Sequence, residues 1–297
     1  MPVSGWCKSL DSQVSKARPG APGSMSGSLS VGGRGDGGDG PRLGPGTDAT
    51  EHHFTSKEYD AEEWGCFMKD GFTRLALILD RSGSMASIEE ATVAGVNKFI
   101  EEQKRVPGTA TLKLVQFDDV YEEVFDTPIV EAPELTLSKT PRPNQRTYEP
   151  RGNTALLDAI GRTVTELGSE LAAMSEDERP SKVIVIIMTD GLENASKVFT
   201  APQVFDLIVQ QRDIYKWDFA YLGANQNAIA TAAKMGIAAA SAMPYAANRT
   251  ATTNAVNATS AAVRRSRSTG RNVSYTSQER KAAVAEDEGD LFNNHAS

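Results

Sequence analysis

The stretch Leu75-Ala-Leu-Ile-Leu-Asp-Arg-Ser-Gly-Ser-Met85 decides the fold class. Its apolar run has strand length and no alternation, the pattern of a strand buried on both faces at the centre of a parallel sheet. Sheets of that kind carry ligand sites in the crevice beyond their carboxyl ends. Asp80 stands at that end, and Ser82 and Ser84 follow it, so one carboxylate and two hydroxyls fall within five residues. These are hard oxygen donors of the sort Mg²⁺ prefers. Taken alone, Asp-x-Ser reads equally as a helix N-cap.

Outward from this stretch, strand-like and helix-like segments alternate. Residues 73–79 form the first strand, and 88–106 a helix with Ile88, Thr92, Val96 and Ile100 on one face, stopped by Pro107-Gly108. Residues 111–117 alternate as a half-buried strand does, with 121–125 as its hairpin partner at the sheet edge. The proline-rich segment 127–153 is expected to be a long irregular loop. Leu156, Ile160, Val164, Leu167 and Leu171 line a second helix. Val-Ile-Val-Ile-Ile within 182–188 marks another buried strand, followed by a helix at 202–212, a strand at 218–222 and a helix at 225–235. This order predicts an α/β fold: a Rossmann-like three-layer sandwich, its central sheet mainly parallel with an antiparallel edge strand, flanked by disordered tails.

Three segments are expected. Residues 1–67 are a disordered head rich in Gly, Pro and Ser, with too little apolar surface to offset ordering entropy. Translation starting at Met25 or Met68 would remove part or all of it. Residues 68–245 form the domain, and 246–297 an Ala/Thr/Asn-rich tail with a short helical segment near 276–285, capped at Ser277. The basic cluster Arg264, Arg265 and Arg267 in that tail reads as solvated charge.

Composition narrows the function. A net charge of −8 argues against general nucleic-acid binding. Cys7 and Cys66 lie outside the dense region, so no disulfide framework is expected and a reduced, cytoplasmic setting fits. No signal segment and no apolar run long enough to span a bilayer are present, so a membrane is not an expected partner. The three histidines, His52, His53 and His295, fall in the presumed tails, and no nucleophile–base pair or phosphate loop can be assembled from the core.

Two further loops join the first. Gly152-Asn153-Thr154 opens the second helix, and Thr189-Asp190-Gly191 follows the Val-Ile-Val-Ile-Ile strand. If the first and fourth sheet strands are neighbours, Asp80 and Asp190 sit side by side at the carboxyl edge. Asp-x-Ser-x-Ser, a Thr at a later helix start and Thr-Asp-Gly after a buried strand, in that order, resemble the von Willebrand factor type A domain and its metal-ion-dependent adhesion site. The resemblance covers about residues 70–240. Phe219-Ala-Tyr-Leu-Gly-Ala-Asn-Gln-Asn227 and the Ala/Thr-rich tail look like small intracellular type A proteins of bacteria and their phages.

The resemblance implies Ser82 and Ser84 as direct ligands of Mg²⁺, with Mn²⁺ or Ca²⁺ as alternatives. Thr154 would coordinate when a ligand is engaged, and Asp80 and Asp190 would act mainly through bound waters, with Asp190 direct in the unengaged state. It also implies a non-enzymatic module that captures an Asp or Glu carboxylate of a protein partner. Plainer readings stand beside it: Asp80, Ser82 and Thr154 as helix caps, and Asp190-Gly191 as a turn. Asp118 reads as a water-holding ligand or, better, a solvated strand end. Asp158 reads as an orienter of the Thr154 loop or a favourable charge at a helix start. Glu193 and Asn194 read as rim or as bland surface. Two other functions compete: a Mg²⁺-dependent phosphotransferase with Asp80 as nucleophile, in the manner of haloacid-dehalogenase-like hydrolases, and a metal-free scaffold. The phosphotransferase needs a second acid where Ser82 stands and a lysine for phosphate.

Overall fold

A computed structural model of the chain describes residues 69–137, 146–224 and 227–285. Its sheet is organised by the apolar run quoted above. Strand β1 (Lys69–Asp80) lies at the centre, hydrogen-bonded in parallel to β2 (Thr109–Phe117) on one side and to β6 (Pro180–Thr189) on the other. Outside β2, β3 (Tyr121–Pro128) runs antiparallel, with Phe117 paired to Tyr121. Beyond β6 come β7 (Asp218–Ala224) and β8 (Ala242–Tyr245), both parallel, giving the order β3-β2-β1-β6-β7-β8. The expected sheet, parallel but for one edge strand, is the one found.

The two faces of the central strands explain their unbroken apolar character. Side chains alternate across a strand. Leu75, Leu77 and Leu79 of β1 and Ile184, Ile186 and Met188 of β6 point into one core, while Ala76, Ile78, Val183, Val185 and Ile187 point into the other. The first core is closed by α1 (Glu89–Lys104) and α5 (Arg249–Thr269), through Val96, Phe99, Val256 and Val263. The second is closed by α2 (Leu156–Ala173), α3 (Ala201–Asp213) and α4 (Ala228–Lys234), through Ile160, Val164, Val204, Ile208 and Ala232. Three layers result, because a sheet buried on both faces needs helices on both.

Helix α5 corrects the expected tail. It packs a face of small residues, including Ala251, Ala255, Ala262 and Val263, against α1 and the sheet. Gly95 of α1 permits the close approach: a Cβ there would stand 3.1 Å from Val256 Cβ. The helix is capped by Asn248, whose side chain accepts from the Ala251 amide at 2.7 Å, and ends at Gly270 with φ +70°. Nor are its arginines simply solvated. Arg265 pairs with Glu279 at 2.8 Å, Arg267 donates to the Gln103 carbonyl at 2.9 Å, and Arg264 stands 3.9 Å from Glu102. The short helix α6 (Ser277–Ala283) was expected, but its cap is Thr276, one residue earlier than Ser277.

Two more expectations are revised. Strand β2 is buried on both sides rather than half-buried, because Lys113 lies under α2 with its ammonium on Glu170 and Glu123 at 2.8 and 3.0 Å. Within the segment expected to be irregular, β4 (Leu135–Leu137) and β5 (Arg146–Tyr148) form a small parallel pair. The head assigned to residues 1–67 lies outside the described residues, as do 286–297 of the expected tail. Among the described residues, no helix is long and apolar enough to cross a membrane.

Candidate metal centre

The direct pairing of β1 with β6 brings the ends of both strands together, Leu79 opposite Met188. Asp80 therefore arrives beside the Thr189-Asp190-Gly191 loop, as neighbouring strands require. Its carboxylate is fully buried and held at both oxygens. Oδ1 accepts from the Ser82 amide at 2.6 Å, and Oδ2 from the Thr189 hydroxyl at 2.6 Å. Ser82 Oγ lies 3.2 Å from Ser84 Oγ, which donates to Asp190 Oδ1 at 2.6 Å. Thr154 reaches the same cluster: a Cβ added to Gly191 would stand 3.0 Å from Thr154 Oγ1 and 3.7 Å from Ser84 Oγ. All five residues singled out in the sequence thus meet at one point of the sheet edge.

The capping alternatives do not describe these side chains. Ser82 and Thr154 both precede helical segments, yet neither hydroxyl caps one: the first turn begins at Gly83 and α2 takes Ala155 as its N-cap, in each case without a side-chain cap bond.

Backbone hydrogen bonds lock the three loops to one another. The Gly83 amide donates to the Gly152 carbonyl at 3.1 Å, and the Arg151 amide to the Arg81 carbonyl at 2.7 Å. Thr154 and Asn194 exchange two bonds, Thr154 amide to Asn194 Oδ1 at 2.9 Å and Asn194 amide to the Thr154 carbonyl at 3.1 Å. Gly152 makes its turn with φ +66°, where a side chain would be strained and would displace Asp119 Oδ2, 2.5 Å from a Cβ placed there.

Supporting residues surround this core. Asp118, which the sequence suggested as a solvated strand end, is instead buried and takes Arg81 Nε at 3.0 Å and Arg151 Nε at 2.9 Å on one oxygen. It ties the first loop to the second. Asp119 receives both amides of Asn153. Asp158 accepts the backbone amides of Lys197, Val198 and Phe199 at 2.7–2.9 Å, so it orients the chain after the third loop. Glu193 is no bland surface: it accepts from the Leu157 amide at 2.8 Å and from Ala195 and Ser196. Tyr148 donates to the Asp80 carbonyl at 2.6 Å from below. Arg81, Arg151 and Tyr148 carried no signal in the sequence, because their partners are set by tertiary contact alone.

The charge of the cluster is acidic. Burial pushes the Asp80 carboxyl up to about 6, against the hydrogen bonds from Thr189 and Ser82, and the nearby Asp190 adds to the rise. Burial likewise raises Asp190, opposed by the Ser84 hydroxyl. Among the described residues no lysine or arginine lies within ion-pairing distance of either carboxylate. A buried acid and a half-buried one, with no lysine or arginine beside them among the described residues and hydroxyls around them, fit a divalent cation. No group of three or more His, Cys, Asp or Glu that suits a metal occurs among the described residues, so any site here is one of mixed carboxylate and hydroxyl oxygens.

The strand order, the antiparallel edge and the three converging loops give the chain a von Willebrand factor type A fold. No family model and no curated protein matches it. Solved structures similar to it include proximal thread matrix protein 1 from the mussel byssus, at TM-score 0.45 and 12% identity over 64% of this chain and 47% of that one. Others are the ArnB paralog VWA2 from Sulfolobus acidocaldarius (TM-score 0.41, 15% identity, 64% and 45%) and the manganese-loaded TRAP protein of Plasmodium vivax (0.35, 17%, 52% and 57%). The chain spans about half the length of these structures.

Proposed function

We propose that the chain is a divalent-metal-dependent protein-interaction module. Asp80, Ser82, Ser84, Thr154 and Asp190 would hold Mg²⁺ or Mn²⁺, and the cation would supply a positive anchor for an Asp or Glu carboxylate of a protein partner. The observation that carries this reading is the fully buried Asp80 beside Asp190, with no lysine or arginine paired to either among the described residues. Ser82, Ser84 and Thr154 contribute neutral oxygens, so a bound cation would keep Lewis acidity toward the partner's carboxylate. The hydrogen bonds joining the three loops hold the donors in place before any partner arrives.

A non-enzymatic role fits better than phosphoryl transfer. Ser82 stands where a general acid is needed, and a serine hydroxyl does not transfer protons efficiently near neutral pH. The fully buried lysine, Lys113, is committed to Glu170 and Glu123 under α2.

Water-proton relaxation with Mn²⁺ bound to the full chain tests the proposal. A glutamate-containing peptide in large excess is expected to lower the relaxation enhancement by displacing a coordinated water, while its glutamine counterpart leaves the signal unchanged. Equal effects of the two peptides would overturn carboxylate capture.

A further inference from the structure

Beside the metal centre a cavity of about 460 Å³ opens between α2, the start of β3 and the chain at Val198-Phe199. Its near wall includes Ala155, the residue after Thr154, so it borders the proposed partner site. The interior is apolar, formed by Phe117, Ala159 and Phe199, and Val198 at its edge is 72% exposed. The polar lining carries more acids than bases: Asp118, Asp119, Asp158 and Glu166 against Arg162. Arg162 is spent within the wall, donating to Glu166 at 2.7 Å and lying over the Tyr121 ring, 4.1 Å from its centroid. The hydrogen bonds to Asp119 and Asp158 come from neutral donors, the Asn153 amides and the backbone amides of 197–199. Those donors hold both carboxyls below their ordinary range, so both stay ionised. Lys197 adds an electrostatic pull on both acids.

We propose that this cavity takes a long basic side chain, Lys or Arg, carried on the same partner segment as the metal-binding carboxylate. The proposal rests on the metal-dependent reading above and adds to it the partner's second determinant. An apolar interior with two ionised carboxylates at the rim matches an amphipathic cation, whose methylene stem is buried while its head stays at the polar edge. A neutral apolar side chain would fill the interior and add no positive charge to the acidic lining. The spacing follows from α2: its cavity-lining residues run from Asp158 to Glu166, so the cavity's middle lies on the order of 10 Å from Thr154 at 1.5 Å per residue. An extended segment covers that in about three residues.

Selection of phage-displayed random dodecapeptides on the full chain, with Mg²⁺ and with chelator, tests this. Enrichment in Mg²⁺ of clones with Lys or Arg two to four residues from an Asp or Glu is the expected result. Enrichment of acidic residues without a basic neighbour overturns the cavity's role and leaves metal-dependent capture standing. An absence of Mg²⁺-dependent enrichment of acidic residues overturns both. As a second arm, Thr165→Trp places an indole at the cavity mouth, away from the metal residues. It is expected to weaken the selected peptide by about tenfold or more while Mn²⁺ affinity stays unchanged. Unchanged peptide affinity in that variant, with folding shown by intact Mn²⁺ binding, overturns the proposal.

Discussion

Replacing Asp80 with Asn is expected to stabilise the metal-free protein while removing its response to metal. In the folded chain the carboxyl is fully buried and raised from 3.8 to about 6, which corresponds to about 3 kcal/mol disfavouring the ionised form at neutral pH. Asparagine removes that charge. Its oxygen still accepts from the Ser82 amide, and its NH₂ faces Thr189, whose hydroxyl turns from donating to accepting and points its proton at the Gly191 carbonyl, 3.2 Å away. Losing the charge-assisted bond costs about 1 kcal/mol, leaving a net gain of about 2 kcal/mol. The pH dependence has a definite sign. Because Asp80 binds its proton more tightly folded than unfolded, its contribution to stability is full below about pH 4 and is lost as pH rises through about 6. The variant should lack that decline. Urea denaturation in chelator, across this pH range, reads both effects. In Mg²⁺ at about a hundred times Kd the wild-type chain should gain about 2.7 kcal/mol and the variant nothing. If Asp80→Asn is less stable than wild type in chelator at neutral pH, Asp80 is not an uncompensated buried charge and the reasoning fails.

Other consequences follow from the supporting framework. Asp118→Ala removes the buried acid that joins Arg81 to Arg151 and leaves Arg81 only the half-exposed Glu122 as an acidic partner, so it should cost about 2 kcal/mol by urea denaturation, with a loss under 1 kcal/mol contradicting the latch. Gly95→Leu drives a side chain into Val256 and should destabilise by about 2 kcal/mol through the forced separation of α1 and α5; an unchanged melting temperature would mean the helices are not in such close contact. Truncation after Tyr245 removes Ala255, Val256 and Val263 from the core, so residues 68–245 should show no cooperative thermal transition while 68–285 retains one.

Much of this was legible in the sequence where a single residue type answers a local demand. The apolar runs of β1 and β6 announce strands buried on both faces, and they place Asp80 and Asp190 at one edge. The hydroxyls and acids of the three loops could be picked out before their geometry was known, because few other roles call for that set in that order. Helix α5 escaped notice for a physical reason. It packs through alanines and threonines at close range rather than through large side chains, so its composition resembles that of a solvated tail. Its boundaries did leave a trace, an Asn cap at 248 and a Gly stop at 270, which the eye for hydrophobic bulk passes over. Asp118 was misjudged because its partners, Arg81 and Arg151, are 37 and 33 residues away in the chain, and no local pattern foretells a buried ion pair of that kind. Glu193 likewise acts on the start of a helix that precedes it by more than thirty residues.

The central claim is that five oxygen-bearing side chains from three loops make one metal site. Calorimetric titration of Mn²⁺ and Mg²⁺ into the full chain, beside Ser84→Ala and Asp80→Ala, tests it most directly. One saturable site in the wild-type chain, weakened at least tenfold by Ser84→Ala and abolished by Asp80→Ala, is the result expected. Binding of equal affinity in all three proteins would place the metal elsewhere, and no binding by the wild-type chain would leave the paired carboxylates without the cation this account assigns to them.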